Sequence, residues 1–151
     1  MILTPKKVNA FLFFKLPAAY WCGVRLIDIN DARCTTTVKY RWINQNPFKS
    51  MYFAVQLMAA ELSTGALVMS KIKASNRTIS MLVGSQTSEF YKKVTGRVHF
   101  TCQDVQLLDL AIQKTIATGE GQEVLLQSTG INKEGDVVSK MTFEWKIKLK
   151  S

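Results

Sequence analysis

Apolar and polar side chains alternate along several segments of the chain. In segment 140–149 the two kinds of residue alternate without exception. A period of two places alternate side chains on opposite faces of a strand, so this segment is predicted to be a strand with one buried face. The same alternation, with many β-branched and aromatic residues, predicts strands in segments 33–42 and 94–102. Other extended segments are 23–31, 78–92 and 122–140, the last with a turn at 133–136.

Three other segments have features of helices. Thr4 and Pro5 are the residue types of a helix start, a cap followed by a first-turn proline, and Pro17 predicts where this helix ends. Segment 103–121 has apolar residues at helical spacing and a glycine where the helix would stop. A third helix is predicted within segment 46–73, which is mostly apolar.

The order of these elements predicts a fold class. In chain order they are a helix, two strands, the long apolar helix, two strands, a helix and two strands. Strands with one polar face and short connections are typical of an antiparallel sheet, and the apolar face of such a sheet must be covered. The long apolar helix is the obvious cover. We therefore predict an α+β fold with one domain over residues 1–151.

The long apolar segment also raises the question of a membrane span. Residues 51–69 nearly reach the length of about 20 residues that a spanning helix needs. Polar residues interrupt this segment, and a carboxylate in the middle of a spanning helix costs about 3 kcal/mol. Because amphipathic strands precede and follow it, we expect a core helix enclosed by the sheet and no membrane span.

Glu61 is the carboxylate inside this predicted helix. Its neighbours one helical turn away are Leu57, Met58, Thr64 and Gly65, which places it on an apolar stripe. A buried carboxylate without a partner is unfavourable, and its pKa rises. Two interpretations are open: a structural glutamate, bonded to a strand Thr, Arg or Lys or placed at a dimer interface, and a glutamate kept for chemistry.

The net charge of +9 limits the partners. A field of this sign attracts nucleic acid, phosphorylated ligands, acidic carrier proteins or anionic lipid headgroups, without choosing among them. The predicted strands lack the dense aromatic and basic face of RNA-binding domains, so nucleic-acid binding is the least favoured of these interpretations.

Cysteine and histidine content argues against disulfides and metal sites. Cys22, Cys34 and Cys102 are an odd number without a CxxC motif, and His99 is the only histidine. A reducing cytoplasm is therefore the expected location. The apolar run 10–14 is too short for the core of a signal peptide.

Three stretches of the sequence resemble one subfamily of hotdog-fold proteins. They are FKLPAAYWCGVRL at 14–26, RWINQNPFKSMYFA at 41–54 and MAAELSTG at 58–65. Members of this subfamily are labelled as domains of unknown function or as thioesterase-like. The resemblance implies a long central helix wrapped by a curved antiparallel sheet, and a dimer or dimer of dimers whose sheets join edge to edge. It also implies hydrolysis of acyl-CoA or acyl-carrier thioesters without a metal or cofactor.

The resemblance extends to particular positions. In hotdog thioesterases a loop ends in Asn or Gln, His-Gly-Gly begins the central helix, and an acid follows nine residues after the histidine. On this chain Asn46 matches the loop amide and Glu61 matches the acid. Tyr52, Phe53 and Ala54 stand where His-Gly-Gly would be.

The resemblance implies a role for each of these residues. The backbone N–H of Phe53 or Ala54, at the positive end of the helix, would polarise the thioester oxygen. Glu61 would activate a water as general base, or attack directly and form an anhydride. Asn46 would hold the water or the carboxylate, and Thr64 would be a second partner of Glu61. In resembling families the helix start and the acid often come from opposite subunits.

The anionic part of coenzyme A needs cationic contacts, for which the candidates are Lys92, Lys93 and Arg97, with Lys71 and Lys73 past the long helix. The resemblance thus predicts a thioesterase. The alternative is a hotdog protein that holds an acyl chain or a CoA-like ligand without hydrolysing it, and the absence of His-Gly-Gly favours this alternative.

Overall fold

A long helix lies against one face of a six-stranded antiparallel sheet. The computed structural model describes residues 3–151. In chain order its elements are α1 (Pro5–Lys15), α2 (Pro17–Trp21), β1 (Arg25–Ile29), β2 (Cys34–Lys39), a 3₁₀ turn (Trp42–Asn44), α3 (Phe53–Ala74), β3 (Ile79–Phe90), β4 (Arg97–Cys102), α4 (Val105–Thr118), β5 (Gln122–Asn132) and β6 (Val137–Leu149). The strand order is β1-β2-β4-β5-β6-β3, so β1 and β3 form the two edges of the sheet.

The central helix α3 is held in the core by apolar packing and by hydroxyl groups. Its small residues let the sheet approach closely, and Ala59 is fully buried. The Thr36 hydroxyl on β2 donates to the Ala59 carbonyl at 2.6 Å, and the hydroxyls of Ser63 and Ser128 lie 2.7 Å apart. α3 is long and apolar enough to cross a membrane by composition, but most of it is buried within this fold. It is therefore the core helix that the sequence predicted.

The alternation of β6 agrees with the structure, because Met141, Phe143, Trp145 and Ile147 are buried on its inner face. β2 departs from the predicted pattern. Its whole length except Lys39 is buried, on both faces.

Small hydroxyl side chains explain this burial of β2. The hydroxyls of Thr35 and Thr101 lie 2.9 Å apart, and Thr37 donates to the Val98 carbonyl at 3.1 Å. Threonines that bond to the neighbouring strand in this way need little contact with water. The predicted strand is also too long, because the chain leaves the sheet after Lys39 and Trp42 lies exposed in the 3₁₀ turn.

The N-terminal helices cover the side of α3 that the sheet leaves open. Thr4 caps α1 as predicted and accepts a hydrogen bond from the Lys7 N–H at 3.3 Å. Pro17 ends α1 but also begins α2, a helix that the sequence analysis missed. Proline is favoured in the first turn of a helix, so one residue serves both purposes. Asn9 fastens α1 to the sheet through hydrogen bonds of 2.8 and 2.9 Å to the Leu26 backbone.

Candidate functional site

The Glu61 carboxyl lies midway along α3 without a polar partner. Its Oε1 is 3.3 Å from the position that a Cβ would occupy at Gly65, and the Trp145 ring lies 3.2 Å from that same position. Because Gly65 has no side chain, this space is open to the carboxyl. Within residues 3–151 the carboxyl makes no hydrogen bond and no ion pair, and burial raises its pKa above the ordinary value for glutamate.

Two apolar cavities flank Glu61, between α3 and the N-terminal helices. The α1 cavity, of about 400 Å³, has walls that include Phe11, Met69 and Trp145. The α2 cavity, of about 460 Å³, has walls that include Ala54 and Met58. Both cavities share the wall residues Leu16, Glu61 and Leu62. Glu61 is thus the acid at the junction of two spaces suited to an apolar chain.

The start of α3 opens into a different and larger space. This helix-start cleft has a volume of about 740 Å³, and its walls include Asn46, Tyr52, Phe53, Lys92 and Lys93. The residues of the predicted site therefore lie in two separate spaces within one chain. The loop amide and the helix start face the cleft, whereas Glu61 and Ala54 face the apolar cavities.

The first turn of α3 offers free backbone donors. Among the described residues the N–H groups of Phe53 and Ala54 have no hydrogen-bond partner, and Tyr52 provides no side-chain cap. Free N–H groups and the helix dipole make such a turn a site for developing negative charge. The oxyanion role that the resemblance assigned to this turn is therefore chemically available.

Asn46 organises the loop that leads into α3. Its Oδ1 accepts from the Phe48 N–H at 2.9 Å, and from the N–H and hydroxyl of Ser50 at 3.3 and 3.2 Å. Its Nδ2 donates to the Ser50 hydroxyl at 3.0 Å and to the Met51 carbonyl at 3.4 Å. The amide is thus occupied within its own turn, and it does not bond to Glu61.

Thr64 does not bond to the Glu61 carboxyl either. Its hydroxyl accepts from Trp145 Nε1 at 2.9 Å and donates to the backbone carbonyl of Glu61 at 2.9 Å. Thr64 is fully buried, and Trp145 is only 4% exposed. The threonine therefore fixes the indole that forms a wall beside Glu61, rather than the acid itself.

The three predicted cations have different surroundings. Lys92 pairs with Asp136 at 2.6 Å on the surface. Lys93 lies 5.8 Å from the centre of the Phe48 ring. Arg97 donates to the Thr37 hydroxyl at 3.2 Å, on β4, outside the helix-start cleft. Of the three, Lys93 is the wall residue of the cleft for which the described residues provide no anionic partner.

Several wall residues were missed by the sequence analysis. Gln56 lines the cleft while 4% exposed, and its Oε1 accepts from the Ser139 hydroxyl at 3.0 Å. A polar residue in an apolar helix was the signal that could have identified it. Leu16 and Trp145 had no comparable signal, because their place beside Glu61 depends on how distant segments pack.

The family described as "Domain of unknown function (DUF4442)" matches residues 5–147. The chain belongs to this family. No curated protein matches the sequence.

Solved structures resemble this DUF4442 protein over nearly its whole length. A Pseudomonas aeruginosa protein described as a "Probable Thioesterase" superimposes with a TM-score of 0.83 at 18% identity, covering 99% of each chain. A Chlorobaculum tepidum protein of unknown function gives 0.83 at 18% identity, covering 98% of each chain. A Haemophilus influenzae thioesterase gives 0.75 at 11% identity, covering 99% of this chain and 93% of the other. These likenesses confirm the predicted hotdog fold.

Proposed function

We propose that this DUF4442 protein hydrolyses acyl thioesters of coenzyme A or of an acyl carrier, with Glu61 as the acid that activates water or attacks directly. The observation that carries the proposal is an acid without a polar partner at the junction of two apolar cavities. The likeness of the fold to thioesterases supports it. The apolar cavities would take the acyl chain, and the thioester group would lie near Glu61.

The reaction with Glu61 as general base has a complete balance of atoms. The ionised carboxyl takes a proton from water while the water oxygen bonds to the thioester carbon. Negative charge develops on the former carbonyl oxygen, where the N–H groups of Phe53 and Ala54 would stabilise it. The C–S bond then breaks as Glu61 gives its proton to the leaving sulfur, so the products are a carboxylic acid and a free thiol and Glu61 is ionised again. The raised pKa of Glu61 makes it a stronger base once it is ionised.

The geometry of a single chain favours a site that a second subunit completes. Phe53 and Glu61 are eight positions apart on α3, about 12 Å along the helix axis. The first-turn N–H groups point away from Glu61, along the axis, whereas reacting groups must approach to about 3–3.5 Å. The helix start of one subunit and the Glu61 of its partner would therefore act together.

The edge strand β3 is the surface through which such a dimer would form. β3 has 12 residues, contains neither proline nor lysine, and pairs with β6 on one side only. A long unprotected edge favours pairing with another strand. The other edge, β1, has five residues and an irregularity at Leu26 and Asp28, so it is the poorer template.

Lys93 is the favoured contact for the anionic part of the substrate. It lies in the wall of the helix-start cleft, near the loop that Asn46 organises. Lys92 is close by but is already paired with Asp136. Arg97 would contribute mainly to the positive field around the cleft.

A panel of thioesters with free-thiol detection tests the proposed reaction. We expect turnover by the wild type and a loss of roughly 10²–10⁴-fold in Glu61→Gln, which keeps the shape of the side chain but cannot accept the proton. Glu120→Gln, at an exposed loop position, is the matched control and should retain full activity. Absence of turnover across short, long and aromatic acyl groups would refute the proposal.

Mixed dimers test the shared site. Phe53→Pro removes one free N–H at a position that tolerates proline, because Tyr52 already has an extended ψ of 132°. Phe53→Ala loses the same ring but keeps the N–H. We expect Phe53→Pro to cost roughly 10²–10³-fold and Phe53→Ala much less. Mixing Phe53→Pro with Glu61→Gln should restore activity through one intact site, and no restoration would place the whole site within one subunit.

A second candidate function is binding of an acyl chain without hydrolysis. Aromatic rings crowd the start of α3: the Phe53 ring lies 5.2 Å from Tyr52 and 6.1 Å from Phe90, between ring centres. This crowding disfavours close approach of a thioester to the helix start. Retention of an acyl ligand by both the wild type and Glu61→Gln, without thiol release, would support this candidate.

A further inference from the structure

We propose that the α1–α2 pair docks this protein on an anionic lipid membrane surface. The docking surface is the exposed part of this pair and carries an aromatic patch, formed by Phe11, Phe13, Phe14, Leu16 and Trp21. Phe14 is 75% exposed and Trp21 is 62% exposed, which is unusual for rings of this size. Contiguous exposed apolar patches mark interaction sites in soluble folds.

Rings of the aromatic patch pack on one another and on Tyr20. The Phe13 ring lies 4.9 Å from Phe14 and 5.1 Å from Tyr20, and Tyr20 lies 5.9 Å from Trp21, between ring centres. Arg25 stacks on the Tyr20 ring, with its Cζ 3.6 Å from the ring centre. Rings that already pack on one another have less side-chain entropy to lose when they enter a lipid interface.

The charges around the aromatic patch select an anionic surface. Lys6, Lys7 and Lys15 lie on α1, and the segment from residue 3 to residue 24 contains no Asp or Glu. Phe, Leu and Trp together with Lys are the residue types that segments at a membrane interface combine, and the α1–α2 surface combines them. A second copy of the chain is a poorer occupant, because an isologous contact would bring these lysines against one another.

The patch also lies directly outside the α1 cavity. Phe11 and Leu16 belong to the patch and to the cavity wall, so docking would place a membrane interface beside an apolar entry toward Glu61. Apolar chains concentrate in membranes, which gives this placement a use if the proposed function holds. Docking itself rests only on the surface and is measured without turnover.

Co-sedimentation with vesicles tests the proposal. We expect the wild type to bind vesicles of phosphatidylcholine with phosphatidylglycerol, and to bind pure phosphatidylcholine weakly. High salt should weaken the binding. Each lysine near an anionic surface is worth about 1 kcal/mol, or roughly fivefold, so the pair of changes Lys6→Glu and Lys15→Glu should reduce binding by roughly 25-fold or more. Failure of the wild type to bind at low salt overturns the proposal.

Matched variants separate the patch from general surface effects. Phe14→Ser with Trp21→Ser should weaken binding by at least about tenfold, because two large rings lose their burial in the interface. Trp42→Ser with Leu110→Ser, which are 82% and 64% exposed outside the patch, should leave it unchanged. Lys114→Glu with Lys140→Glu is the equivalent control for charge. Equal losses in patch and control variants overturn the proposal.

Fluorescence quenching identifies the part that enters the lipid. In a Trp42→Phe background the remaining indoles are Trp21, exposed, and Trp145, buried in the core. Brominated acyl chains should quench Trp21, and binding without quenching overturns the insertion of the patch. Two further outcomes overturn the membrane-docking proposal. In the first, the patch variants change only the oligomeric state. In the second, the wild type does not bind vesicles, and the patch variants abolish binding to an acidic carrier protein.

Discussion

Replacing Thr64 by valine tests how the wall beside Glu61 is built. Valine keeps the shape of threonine but cannot accept the hydrogen bond of 2.9 Å from Trp145 Nε1. Both residues are buried, and within residues 3–151 every fully buried side-chain nitrogen and oxygen has a partner. Thr64→Val would therefore leave the buried indole N–H of Trp145 without a hydrogen-bond acceptor.

The magnitude follows from the desolvation of that N–H group. An unsatisfied buried donor costs about 1–3 kcal/mol. For a chain of this length, 1 kcal/mol lowers the melting temperature by roughly 2–4 °C, so a central loss near 2 kcal/mol corresponds to roughly 4–8 °C. Scanning calorimetry would measure the shift. Thr64→Ser keeps the hydroxyl and loses one buried methyl group, so we expect a cost of only about 1 kcal/mol.

A double-mutant cycle with Trp145→Phe tests whether the lost hydrogen bond causes the loss of stability in Thr64→Val. Phenylalanine has no N–H, so Thr64→Val should cost little in that background, and the two changes should not be additive. If Thr64→Val is as stable as the wild type, or costs the same with Phe as with Trp at 145, the hydrogen bond is not what the hydroxyl contributes.

Two further predictions concern Glu61 and Asn46. Because burial raises the pKa of Glu61, the folded protein holds this proton more tightly than the unfolded chain. The stabilisation that this bound proton provides is therefore present below the ordinary glutamate pKa of 4.5, and it is lost as the pH rises through the folded pKa. In denaturant unfolding, the free energy of unfolding of Glu61→Gln should rise relative to that of the wild type between pH 4 and pH 8. A difference between the two proteins that does not change with pH would contradict this. Asn46→Ala removes five hydrogen bonds from the turn that leads into α3. We therefore expect trypsin to cleave after the exposed Lys49 faster in this variant than in a Gln45→Ala control. Equal cleavage rates would show that the Asn46 amide does not hold the loop.

Much of the fold could be predicted because its signals are local. The alternation in segment 140–149, the cap at Thr4 and the glycine that ends α4 each depend on residues within a few positions of one another. The long apolar helix and its single acid were visible for the same reason. Hydrophobic periodicity and capping are properties of short stretches, so the sequence by itself determined these elements and the α+β class, and the hotdog fold was implied by the resemblance of three short stretches to one subfamily.

The arrangement of the candidate site was decided only by the tertiary structure. The resemblance to hotdog thioesterases grouped Asn46, the helix start and Glu61. In the structure α3 separates the cleft from the apolar cavities, because a helix advances about 1.5 Å per residue and turns its side chains in different directions. The hydroxyl of Thr64 bonds to Trp145, 81 positions away. Which distant segments meet is set by packing of the whole chain, and no local pattern records it.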